Sequence, residues 1–221
     1  MSRIKAVPRH AGILSAVLAL CAGAAAPAAA ALKYGPTSRP LAVPLSQDHS
    51  YFQDPAHAAP DFWRLSAFYV PQPDPSSCSA ASVSMALNSL LAAGRTRGDQ
   101  DRNVTPERLL ADLRGGKNPR LAAMGVDGRH GVTLEQLTAF VEAALSEHGG
   151  AGFAVSRHPV RSADAEELRA LRAALRLVLV FDVDRDWYEP YWVPDEALLQ
   201  AMAHSTAAFG RGGYVRAGRR P

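Results

Sequence analysis

The sequence predicts one domain in which helices and strands mix, on three observations. Stretches around 78–91, 134–145 and 168–175 carry apolar residues at helical spacing, and short β-rich runs stand between and after them at 153–156 and 177–183. A hydrophobic content of 48% over 221 residues lies in the ordinary globular band, which excludes a disordered or collagenous chain and supplies the core of one domain.

The elements follow in order. Residues 31–60 are rich in Pro, Ser and Ala without a period and read as an extended N-terminal arm. From Asp61 the chain turns aromatic, and then Pro71, Pro73 and Pro75 forbid helix and give a stiff approach to Ser76-Ser77-Cys78. A helix follows, with Val83, Leu87, Leu90 and Leu91 on its apolar face and a stop at Gly94. Thr105-Pro106 caps a short helix ending at Gly115, and residues 116–129 read as loop. Thr133 with Gln136 forms a capping box for a helix through Leu145 that Gly149-Gly150 closes. Phe153 to Ser156 reads as a strand and Leu168, Leu171 and Leu175 as the stripe of a third long helix, with His158 in the loop before it. Leu177 to Val183 is a buried strand, and it abuts that helix with no turn residue between Ala173 and Phe181. Residues 216–221 form a basic tail, with Tyr214 and Val215 as a last short strand.

The first thirty residues read as a secretory signal: Arg3, Lys5 and Arg9, an apolar run from Ala11 to Ala24, and Ala28-Ala29-Ala30 at its end. The expected location is periplasmic or secreted. The run is shorter than the ~20 residues of a membrane span, so no stable membrane association is expected after cleavage. Leu20 before Cys21 is too large for lipoprotein processing. Without the three basic residues of the signal, 21 basic residues face 21 acidic ones, a balance that argues against a nucleic-acid partner.

Cleavage removes Cys21 and leaves Cys78 as the one cysteine, either a buried small hydrophobe or a reactive thiol. Its place at a helix N-terminus suits an anion, because free amides and the helix dipole favour negative charge there, and a thiolate nucleophile becomes the chemistry to test. Gln72, six residues upstream, is either a solvated loop residue or an amide donor to an oxyanion over that thiol.

The stretch from Gln72 to Leu91, with Gln six before Cys-Ser-Ala-Ala-Ser-Val-Ser-Met-Ala-Leu-Asn-Ser-Leu, resembles the nucleophile segment of the phytochelatin synthase family. The stretch Asp182-Val-Asp-Arg-Asp-Trp-Tyr-Glu-Pro-Tyr-Trp-Val-Pro194, followed by Leu198, Leu199, Ala201 and Met202, is similar to that family's Asp-containing C-terminal motif. Gly131-Val-Thr and its helix also fit, so the likeness runs from about Tyr51 to Tyr214. It implies an α+β, papain-like cysteine-protease fold over 61–215 and a Cys, His, Asp triad. That triad takes the γ-glutamylcysteinyl part of glutathione, expels glycine, and passes the acyl group to a thiol peptide or to water. By matching position, Cys78 resembles the nucleophile, Gln72 the oxyanion donor and Asp182 the residue that orients the histidine, with Arg185 and Tyr188 near the acyl pocket.

The family's histidine lies in a Gly-His-x-Ser-Pro type segment just before the Asp strand, and no such segment stands between His158 and Asp182. The missing motif and the missing turn fall at the same place, so one or two sheet strands are expected to be absent. Three readings follow: a glutathione γ-glutamylcysteinyltransferase, a catalytically impaired relative that binds γ-glutamyl thiol peptides, or the product of a gene with an internal loss. The sequence holds no spaced Cys or His cluster, so no metal site and no cofactor are expected; the resemblance implies that a heavy metal enters as a thiolate complex of the substrate.

Overall fold

The computed structural model describes residues 42–56, 59–92, 98, 102–149, 152–174, 179–180 and 189–220. Helices and short antiparallel strands mix along the chain, as an α+β class requires. The expected signal, Cys21, and Gly94, Leu175, Asp182, Arg185 and Tyr188 lie outside the described residues.

In chain order the elements are β1 (Val43–Pro44), a 3-10 turn (Ser50–Gln53), α1 (Pro60–Ser66), α2 (Cys78–Ala92), α3 (Pro106–Arg114), α4 (Pro119–Ala123) and α5 (Leu134–Ala144). A π turn (Leu145–Gly149) extends α5 and is followed by β2 (Phe153–Pro159), α6 (Ala165–Ala174), β3 (Leu179–Val180), β4 (Tyr191–Trp192), α7 (Asp195–Ala203), β5 (Ser205–Thr206), β6 (Gly210–Arg211) and β7 (Gly213–Arg219).

The main core joins α2, α3 and α5 through Val83, Leu87, Leu109, Leu110 and Phe140, all buried. Its helices begin where local chemistry says they should. Thr105 Oγ1 accepts from the Arg108 amide at 3.3 Å with Pro106 at the first helical position. The capping box is complete: Gln136 N donates to Thr133 Oγ1 at 3.2 Å, and Thr133 N donates to Gln136 Oε1 at 2.7 Å. The expected loop 116–129 contains α4, because Asn118 accepts from Leu121 N at 3.2 Å and Pro119 stands at the first turn, a short copy of the same start signal.

A second cluster, Val160, Leu171 and Leu199, packs α6 on α7 beneath Tyr214. Arg172 clamps the same pair from outside, donating from Nη2 to Asp195 Oδ1 (3.2 Å) and Glu196 Oε1 (2.8 Å), and from Nε to Asp195. The Arg172 hydrogen bond, with help from Glu196, holds the Asp195 carboxyl at about 2. A folded-state value below the ordinary carboxylate range means that this contribution is complete above about pH 4 and is lost as the pH falls toward 2. The acid loss of thermal stability between those values should therefore be shallower in Arg172→Ala, and equal slopes would contradict the clamp.

Two expectations are corrected in the sheets. The basic tail expected from residue 216 is strand as far as Arg219: β7 pairs antiparallel with β2 over seven residues, from Phe153↔Arg219 to Pro159↔Gly213. Strand pairing hides its backbone, Tyr214, Val215 and Ala217 are half-buried, and the Arg219 guanidinium sits 5.4 Å from the Phe153 ring centre. His158 accordingly lies in β2, not in a loop, with its ring stacked 4.8 Å from that of Tyr214. Gly213 has φ +154°, and a Cβ there would stand 2.4 Å from His158 O and 2.9 Å from Pro159 Cα. Gly213→Ala is expected to lower unfolding stability by about 1–3 kcal/mol, since backbone atoms cannot step aside; an unchanged urea midpoint would show that the strand pair yields.

The other sheet runs β1-β4-β3, with Val43↔Trp192 and Leu179↔Trp192. Leu179–Val180 is the described part of the strand expected at 177–183. Residues 42–56 of the expected arm fold back onto the domain. Ser46 Oγ donates to Glu189 at 2.8 Å, Trp192 Nε1 donates to Asp48 O at 2.7 Å, and Phe52 packs on Phe62, Trp63 and Trp192.

Candidate functional site

Cys78 is exposed and opens α2, a helix of 15 residues. That excludes the buried-hydrophobe alternative. The preceding turn fixes its position. The Asp74 carboxylate accepts from Ser76 N at 3.0 Å and Ser76 Oγ at 2.9 Å, while Ser77 Oγ donates to Asp74 O at 2.8 Å and accepts from Asp74 N at 3.1 Å. The Ser76 hydrogen bonds, backed by the more distant Arg114, hold the Asp74 carboxyl below its ordinary value. Ser77 is fully buried, and its carbonyl accepts the first helical bond, from Ala81 N at 3.1 Å. Arg114 at the end of α3 reaches the turn, with Nη2 3.6 Å from Asp74 Oδ2. Where the prolines predict a stiff approach, Asp74-Pro75-Ser76-Ser77 closes instead into a hydrogen-bonded turn, because the Asp and Ser side chains satisfy nearby backbone groups.

Behind Cys78, α2 is held by polar bonds in the core. Ser84 Oγ donates to Val104 O at 2.6 Å, Asn88 Nδ2 donates to Val104 O at 2.8 Å, and Val104 N donates back to Asn88 Oδ1 at 2.9 Å. All three residues are buried.

Gln72 is half-buried on the approach, and its amide has no hydrogen-bond partner among the described residues. It shares one short segment with Cys78. Asp182, Arg185 and Tyr188 lie outside the described residues. No described histidine hydrogen-bonds to the Cys78 sulfur. His130 pairs with Asp127 at 3.0 Å, His158 Nε2 lies 2.9 Å from Ser156 Oγ, and His148 faces Asp112.

Among the described residues, donors able to hold a metal come together at one place apart from this segment: Asp112, Glu147 and His148. Among the same residues, no helix is long and apolar enough to cross a membrane. No protein-family model matches the chain, and no curated protein matches it.

The exposure of Cys78 gives a direct expectation. In the full chain carrying Cys21→Ser, iodoacetamide should modify Cys78 without denaturant, at a rate close to that in urea. A requirement for denaturant would mean that the thiol is closed off.

Proposed function

We propose that the chain is an exported, phytochelatin-synthase-like cysteine acyltransferase of papain-like fold, acting on glutathione and slowed by the loss of the segment that carries the family's histidine. The observation that carries this reading is the exposed Cys78 at the head of α2, set by the Asp74–Ser77 turn, within the stretch that resembles the family's nucleophile segment.

The Cys78 thiolate attacks the carbonyl carbon of the cysteinyl–glycine bond, and the Gln72 amide donates to the oxyanion that forms. The C–N bond then breaks. Glycine leaves with a proton, and a γ-glutamylcysteinyl thioester remains on Cys78 for transfer to a second thiol peptide or to water. In a complete triad an imidazole would accept the thiol proton and return it to the amine. Without the family's histidine segment that proton comes from solvent, and the rate should lie ~10²–10⁴ below that of a complete triad. Asp182 as orienting residue, with Arg185 and Tyr188 as substrate contacts, remains part of the proposal on family resemblance.

The absence of an imidazole on the Cys78 sulfur among the described residues favours a second reading, a relative that binds γ-glutamyl thiol peptides without turning them over. Incubating the protein with glutathione, with free glycine and retained peptide both measured, separates the two. Slow glycine release supports the acyltransferase, whereas saturable binding without glycine supports the binder. Neither would refute both.

A further inference from the structure

Asp112 lies on α3 and Glu147 and His148 on the π turn that ends α5, so the packing of two helices brings together residues 35 positions apart. The side chain of His148 is 8% exposed and that of Asp112 12%. His148 Nε2 faces Asp112 Oδ2 at 3.9 Å, beyond hydrogen-bond reach, and both atoms are buried without a hydrogen-bond partner. A buried carboxylate oxygen and a buried imidazole nitrogen that face one another without a hydrogen bond are left unsatisfied by the protein, and a cation between them would satisfy both. Glu147 supplies a third ligand atom from the exposed side, and all three atoms lie within 4.8 Å of one another. Three such atoms can be reached from a common point within about 2.8 Å, so small side-chain adjustments bring them to the ~2.0–2.2 Å of zinc–nitrogen and zinc–oxygen bonds.

We propose that Asp112, Glu147 and His148 form a binding site for one divalent transition metal of the zinc class, with a fourth position left to solvent. One imidazole and two carboxylates suit zinc or cobalt better than magnesium or calcium, which prefer an all-oxygen set. Lys117 also touches Asp112, through Oδ1, leaving Oδ2 for the ion; two carboxylates against one ammonium keep a negative charge in excess. Asp112 and Glu147 also line a shallow, open depression with Leu109, Leu121 and Phe140, so the carboxylate side of the cluster is reachable from solvent. The π turn supports the reading, since such turns collect at functional places in helices.

The test uses the full chain with Cys21→Ser and Cys78→Ser, so that no thiol takes part. Titration with cobalt chloride, followed by visible absorption, should show one saturable equivalent, and zinc should displace the cobalt. Affinity should fall about tenfold or more in Glu147→Gln, whose exposed position keeps the fold out of the result, and about a hundredfold or more in His148→Gln. No saturable uptake, or uptake that both substitutions leave unchanged, would overturn the site.

Discussion

Asn88→Ala should lower the unfolding free energy by about 3 kcal/mol, the largest loss expected from a single polar substitution among the described residues. Asn88 Nδ2 donates both to Val104 O and, at 2.9 Å, to Ser84 O, and its Oδ1 accepts from Val104 N. Alanine would leave the Val104 N–H buried without a partner, and an orphaned buried donor costs more than the net worth of the bond it lost. The Val104 carbonyl would keep Ser84, which bounds the effect from above. Urea unfolding should show a lower midpoint with an unchanged slope. A loss under about 0.5 kcal/mol would mean that the 102–105 segment rearranges and finds new partners.

Cys78→Ser should remove the glycine release that glutathione elicits, by a factor of at least about a hundred. A thiol can furnish some thiolate without a base, whereas a serine hydroxyl at the same position stays protonated and has no imidazole to activate it. The substitution should leave the urea midpoint in place, because Cys78 is exposed and the turn that precedes it depends on Asp74, Ser76 and Ser77. Gln72→Ala should cut the same release ~10²–10³-fold if its amide serves the oxyanion. Release that persists in Cys78→Ser would move the chemistry elsewhere.

What could be read from the sequence was local. The starts of α2, α3 and α5 depend on residues within three or four positions of one another, and Thr105, Thr133 and Gln136 stand where the motifs put them. Pairings between distant segments were not readable. Nothing in the Arg- and Gly-rich end of the chain identifies β2 as its partner, and nothing in residues 42–56 announces Trp192. The site divides in the same way. Cys78, Gln72 and the turn between them occupy one short stretch, whereas Asp112 meets His148 only because α3 packs against the end of α5. Asn88 was visible as part of the nucleophile segment, but its role depends on Val104, sixteen residues on.

The most direct measurement is the intact mass of the full chain carrying Cys21→Ser after incubation with glutathione under a phosphine reductant. The account predicts an adduct on Cys78 with the mass of glutathione less glycine, or free glycine appearing in a Cys78-dependent manner where the thioester is hydrolysed as it forms. An adduct that retains glycine would be a mixed disulfide and would be cleared by the reductant. Finding neither the glycine-less adduct nor Cys78-dependent glycine would contradict the acyl-transfer reading.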